Sequence, residues 1–276
     1  MKSKEELIEL NKSQKAYYNN EEGFAKRNLV SRWWRGFQNG PLNSYQKTYA
    51  LRQRMYDLHK EWMGDLSDKK VLDLGCLKGN TLSLYMAKNA KEYIGIDLSD
   101  VATAELQTKI DAQGSRNAKA IAVDFLSDDF ADDQFDIIYA FGVLHHFENF
   151  DILMKRLVEK LKSGGEVVSF DPLETSLPVV LLRKMYRPFQ QDKDWEWPFN
   201  KSTFKKISQH FEILEMRGIL GKSKYGLLLH LLPFGENFKK QQIEKMIRKD
   251  WRNQSSNEIL NCMQVAMRLK AKAKNG

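Results

Sequence analysis

Three acids, two glycines and a pair of histidines stand at intervals that suit ligand chemistry. Asp73, Gly75 and Gly79 fall within VLDLGCLKGN, an apolar run that breaks into a glycine-bearing turn. Asp97 closes YIGID, 18 residues after Gly79, and Asp124 closes AKAIAVD. His145 and His146 lie in FDIIYAFGVLHHFEN. Glycine in such a turn lets the backbone approach a ligand closely. A P-loop is excluded, because no Gly-Lys-Ser/Thr ending follows the turn. A dinucleotide fingerprint needs glycines at i, i+2 and i+5, and Leu77 and Asn80 occupy the second and third places. Asp73 at a strand end disfavours an approaching pyrophosphate and suits a ligand carrying an ammonium or sulfonium group. An acid about 20 residues beyond a glycine loop is placed to bind both hydroxyls of a ribose, which makes Asp97 the candidate.

In order and spacing, these segments resemble the class I S-adenosylmethionine-dependent methyltransferases of the small-molecule type. VLDLGCLKGN is similar to the first motif of that family, Asp-x-Gly-x-Gly-x-Gly, with Asp73, Gly75 and Gly79 matching. Leu77 replaces the middle glycine and would crowd the turn. LKSGGEVVSFDP is like the family's Leu-Lys-Pro-Gly-Gly turn, with Ser163 for the proline. The resemblance covers residues 69–171 well and the flanks weakly. It implies S-adenosyl-L-methionine as cofactor, bound through Asp73, Gly75, Cys76, Gly79, Asp97, Leu98, Asp124, Phe125 and Phe141. It further implies that Asp124 meets the adenine amino group, that Phe125 lines the adenine slot and that Phe141 flanks the methionine end. Read by itself, Cys76 is a small buried filler rather than a reactive thiol.

Such residues must be carried by strands. Lys70–Leu74, Tyr93–Asp97, Ala118–Asp124, Phe135–Phe141 and Gly165–Asp171 are short, rich in β-branched or aromatic residues and mostly apolar, as in strands covered on both faces. Helical segments alternate with them, including Thr81–Lys88 and Asp151–Lys162, the latter expected to end at Gly164 and Gly165. The alternation predicts a doubly wound, mostly parallel sheet, with the ligand at the carboxyl ends of the strands. The expected fold is α/β, seven-stranded and Rossmann-like, with a helical N-terminal cap and a helical C-terminal insertion. Residues 1–68 form the cap and 69–221 the core, with 172–199 as an acceptor-side connector. Residues 222–276 form a basic insertion and last strand. Phe211–Ile219 reads as a sixth strand, Cys262–Leu269 as a late one and Lys222–Asn257 as helical; Ser202 or Asn200 caps a helix through Phe211.

Methyl transfer is an in-line displacement, accelerated by holding donor and acceptor in near-attack geometry and excluding water. A hydroxyl acceptor also needs a base, and His145 and His146 are the candidates, at the start of the next helix. Tyr17, Tyr18, Trp33, Trp34 and Arg35 are expected to form a lid. Met185, Tyr186, Trp195, Trp197 and Leu227–Leu232 are expected to line an apolar pocket for a bulky or lipid-like small molecule. Relatives that methylate adenine or amide nitrogen carry Asn/Asp-Pro-Pro-Tyr after the fourth strand, and FGVLHH stands there instead. An RNA-directed methyltransferase and a non-catalytic cofactor-binding module are the competing readings.

Composition sets the outer bounds. The chain has 276 residues, 42% of them hydrophobic, enough for a buried core and against wholesale disorder. Two cysteines, Cys76 and Cys262, make neither a disulfide framework nor a closed zinc site, so no metal is expected. The opening MKSKEELIEL is acidic where a secretory leader is apolar, and no run approaches a membrane span, which points to the cytoplasm. The net charge of +8 resides in residues 222–276, with twelve Lys/Arg against four Asp/Glu. Together with Tyr225–Phe234, that excess predicts a peripheral contact with anionic membrane and leaves nucleic acid the weaker partner.

Overall fold

The computed structural model describes residues 3–19, 32, 36, 38–190, 193–230, 232–252 and 255–272. Among them, seven strands form one sheet in the order β3-β2-β1-β4-β5-β7-β6. The strands are β1 (Lys70–Leu74), β2 (Glu92–Asp97), β3 (Ala118–Ala122), β4 (Phe135–Phe141), β5 (Leu161–Pro172), β6 (Phe211–Ile219) and β7 (Gln264–Ala271). The first five pair in parallel, and β7 runs antiparallel to both neighbours, β5 and β6. Val71, Leu72, Ile94, Ile138, Val167 and Val168 have no exposed surface, because helices cover both faces.

The helices are α1 (Lys4–Asn19), α2 (Asn43–Thr48), α3 (Leu51–Met63), α4 (Thr81–Asn89), α5 (Asp100–Ala112), α6 (Phe150–Lys160), α7 (Leu177–Tyr186), α8 (Lys201–His210) and α9 (Glu236–Asp250). Two apolar layers sandwich the sheet. Leu72, Ile94, Ile138, Leu153 and Leu157 belong to one; Val71, Tyr93, Tyr139, Trp62 and Met86 belong to the other. His59 of α3 is fully buried in the second layer, stacked on Trp62, and burial lowers its pKa to about 3. It therefore stays neutral and behaves as core.

Several boundaries differ from those expected. The glycines at 164 and 165 do not end the preceding helix. α6 stops at Lys160, and Leu161 already pairs with Phe135. The register then shifts, so that Ile137 faces Glu166, and Gly164 turns the bulge with φ +76°. The continuous helix over 222–257 is broken into turns at Lys222–Tyr225 and Gly226–Leu229, then α9, then Ser256–Ile259. Pro233 and Gly235 separate the turns from α9. Asn200, not Ser202, caps α8, accepting from the backbone N–H of Ser202 and Thr203. The insertion between β6 and β7 carries half of the excess basic charge, with eight Lys/Arg against four Asp/Glu over 222–263, and the other half lies in β7 and beyond.

Candidate functional site

The first turn after β1 is shaped by its own backbone bonds. The amides of Gly75 and Cys76 both donate to the carbonyl of Ile96, at 2.9 and 3.0 Å, and Gly79 N–H donates to Cys76 O at 2.8 Å. Gly75 and Gly79 adopt φ of +71° and +74°. A Cβ on Gly75 would sit 2.5 Å from Val143, and one on Gly79 would sit 2.5 Å from Leu106. Both positions therefore require glycine for conformation and for space. Leu77 keeps the left-handed conformation that the middle glycine would supply, at φ +47°, with its side chain exposed. Asn80 then caps α4. Its Oδ1 accepts from Leu82 and Ser83 N–H, while Ser83 Oγ accepts from Asn80 N–H, a reciprocal capping box.

This loop forms one wall of a cleft of about 380 Å³ along the carboxyl ends of β1 to β4. Asp97 stands at its centre. Its Oδ2 accepts Leu77 N–H at 3.0 Å and its Oδ1 accepts Ser99 N–H at 2.9 Å. Burial raises its pKa, and the backbone donors pull the other way. Asp124 follows two residues past the end of β3, accepting from Leu126 N–H at 2.9 Å and from Asn11 Nδ2 at 2.8 Å. Phe125 forms the wall beside it, set edge-on to Phe147. At the other end Phe141 stacks on Phe170 at 4.8 Å and meets Tyr56 of α3 at 5.8 Å.

Of the residues singled out from sequence, Gly75, Cys76, Gly79, Asp97, Leu98, Asp124, Phe125, Phe141 and His146 line this one cleft. Asp73 and His145 do not. Asp73 lies beneath the loop, 2% exposed, accepting from Tyr93 Oη at 2.8 Å. Burial raises its pKa to about 6, against the opposing bonds from Ser83 and Tyr93. Desolvation and the nearby carboxylates of Asp73 and Asp97 push the Cys76 thiol far up, so no thiolate forms there. His145 turns inward, its Nδ1 2.9 Å from Asp171 Oδ1. Asp171 is completely buried, which raises its pKa well above the carboxylate range. His146 faces the cleft, with Nδ1 2.7 Å from Trp195 O and its ring 4.1 Å from that of His145. The two histidines form a short 3-10 turn, Leu144–His146, and α6 begins later, at Phe150, under an Asn149 cap.

Sequence reasoning missed Asn11, Gln14, Arg52 and Tyr56, which close the cleft from α1 and α3. Polar residues three apart on α1 are a signal for Asn11 and Gln14, and Arg52 and Tyr56 on α3 carry none. The helix is also tied down by Asn19, which donates to Asp100 and accepts from Ser99 Oγ, each at 2.6 Å. Trp33, Trp34 and Arg35, and the side chains of Tyr17 and Tyr18, lie outside the described residues. The expected acceptor pocket is not assembled among the described residues: Met185 is 75% exposed and Leu228 60%, and neither lines the cleft. Tyr186's side chain and Leu231 are outside the described residues. No cluster that could hold a metal ion occurs among the described residues, and no described helix is long and apolar enough to cross a membrane.

Comparison with known proteins agrees with this geometry. A family described as methyltransferase domain matches residues 45–227. The chain is 28% identical, over 141 residues, to a ubiquinone biosynthesis O-methyltransferase of Acinetobacter baylyi, covering 50% of this chain and 56% of that one. It is 32% identical over 108 residues to an uncharacterised protein of Haemophilus influenzae, covering 38% and 42%. The chain thus spans about half the length of the curated relatives it matches. Among solved structures, the N-methyltransferase NodS of Bradyrhizobium japonicum, in complex with S-adenosyl-L-homocysteine, superposes with a TM-score of 0.52 at 15% identity. That match covers 80% of this chain and 87% of NodS. The geranyl diphosphate C-methyltransferase of Streptomyces coelicolor superposes at 0.56 and 11% identity, covering 86% of each chain. These likenesses show a shared fold.

Proposed function

The chain belongs to the methyltransferase domain family, and from that premise we propose that it transfers a methyl group from S-adenosyl-L-methionine to a hydroxyl oxygen of an apolar, lipid-like small molecule. The observation that carries this reading is one cleft with carboxylates at the ends of adjacent strands, Asp97 closing β2 and Asp124 just past β3, opposite a left-handed loop. The donor set fits the cofactor. Asp97 is held rigidly by two backbone amides and retains lone pairs for a ribose diol. Asp124 can exchange its Asn11 contact for an exocyclic amine, and Phe125 supplies an apolar wall for a base. Arg52, on the rim beside Tyr56, is the cation for a carboxylate at the far end. Asp73 acts through its field from under the loop rather than by contact. When bound, the cofactor supplies a methyl group activated by a sulfonium charge, which the buried acids favour electrostatically.

The chain's own residues then do three things. The loop and Asp97 fix the donor end, and Phe141, Tyr56 and Val143 exclude water around the reacting centre. His146 is the base that accepts the acceptor's hydroxyl proton. His145, fixed by Asp171, is a positioning residue that holds the His146 ring through a tilted ring contact at 4.1 Å. Oxygen as the attacked atom is supported by the O-methyltransferase relatives.

Calorimetry with S-adenosylhomocysteine tests the cofactor reading: the expected result is one site per chain, and an absence of heat or competition would overturn it. Turnover with a polyprenylated phenol tests the acceptor. His146→Ala should cut turnover about a hundredfold with cofactor affinity intact; unchanged turnover removes His146 as the base.

A further inference from the structure

Ten of the twelve large apolar side chains exposed among the described residues lie in two stretches, 177–189 and 225–238. Scattered exposed apolar residues need no explanation, but a concentration of this kind does. α7 is inside out for a helix of a globular domain: Leu177, Leu181 and Met185 are 70%, 53% and 75% exposed, and Val179 is its only buried residue among those described. The second stretch exposes Tyr225, Leu228 and Phe234. The two adjoin, because Lys224 Nζ donates to Ser176 Oγ at 3.2 Å, next to Leu177 on one side and Tyr225 on the other.

Charge says what covers them. α7 and the turn that follows carry Arg183, Lys184 and Arg187 and no acid. Residues 222–240 carry four lysines against Glu236 alone; Lys239 is buried in an ion pair with that acid, which leaves Lys222, Lys224 and Lys240. A second copy of the chain would set these cations against their own likeness. Apolar side chains interleaved with lysine and arginine fit the phosphates and acyl chains of an anionic bilayer. α7 leaves the carboxyl end of β5, the edge where the cleft opens, and its connector reaches the histidine turn through Trp197 N–H to His145 O at 2.7 Å.

We propose that α7 together with residues 222–238 forms a peripheral docking surface for anionic phospholipid, on the same edge of the sheet as the cleft. The surface is independent of which atom is methylated, so its failure leaves the cofactor reading untouched, and the reverse holds as well.

Flotation with phosphatidylcholine vesicles, with or without phosphatidylglycerol, tests it. The expected result is binding at least about tenfold tighter to the anionic vesicles at low salt, fading at high salt. Arg183→Gln with Lys184→Gln should weaken it by about fivefold per charge removed. Met185→Glu should weaken it about tenfold or more while S-adenosylhomocysteine binding is unchanged, which separates loss of docking from loss of fold. Equal partition to neutral and anionic vesicles, or indifference to these substitutions, overturns the proposal. So does a dimer in sedimentation velocity that Met185→Glu dissociates, which would give the surface to a second copy.

Discussion

The loop after β1 and the surface of α7 are built on opposite principles. In the loop, polar atoms are paired locally, two glycines sit where no side chain fits, and Asp97 is held by two amides. On α7, large apolar side chains point outward with basic neighbours and little buried beneath them. One region is finished by the chain itself; the other is energetically complete only against something else. Substitutions should therefore damage binding and stability in the first region, and association alone in the second.

The largest expected effect is on Asp97. Asp97→Ala removes the carboxylate proposed to hold two ribose hydroxyls, and calorimetry should show S-adenosylhomocysteine affinity falling about a hundredfold, from the loss of hydrogen bonds to a charged group. Retained affinity would erase the contrast between the two regions. Next, Gly75→Ala combines a positive φ with a collision against Val143 and should cost about 2–3 kcal/mol in denaturant unfolding. Met185→Ser on α7 should stay within about 0.5 kcal/mol. Equal costs would mean that α7 is core.

Asp73 sharpens the comparison through pH. Its folded pKa of about 6 exceeds the unfolded value, so it contributes stability below about pH 4 that is lost as pH rises through about 6. Asp73→Asn mimics the protonated form. In thermal melts without cofactor, it should be about 2 kcal/mol more stable than the parent at pH 7.5, and the gap should close by pH 4. A gap that widens on acidification would reverse the argument. Leu77→Gly should have little effect on stability as well, because relief of left-handed strain is offset by unfolded-chain entropy, leaving a net change under about 1 kcal/mol.

The strands and the cleft residues were legible because the central strands are short, mostly apolar runs and the acids stand at or just past their carboxyl ends. Direction was not legible: Asp73 shares the strand-end pattern of Asp97, yet Tyr93 reaches across Gly95 to capture it below the loop. Adjacent histidines in a tight turn likewise diverge, one to Asp171 and one to the cleft, which spacing alone does not reveal. Residues on α1 and α3 escaped notice because they reach the cleft by tertiary docking, from segments without a motif. The exposure of Met185 was not legible because an apolar helix reads alike whether its face meets core or exterior.

The antiparallel strand between β5 and β6 has a consequence for synthesis. Among the described residues, 264–271 supply the only partner that joins β6 to the sheet. Until they emerge from the ribosome, β5 shows a bare edge and β6 has nowhere to bond, so the growing chain must spend that interval shielded by chaperones or exposed to mispairing with its neighbours.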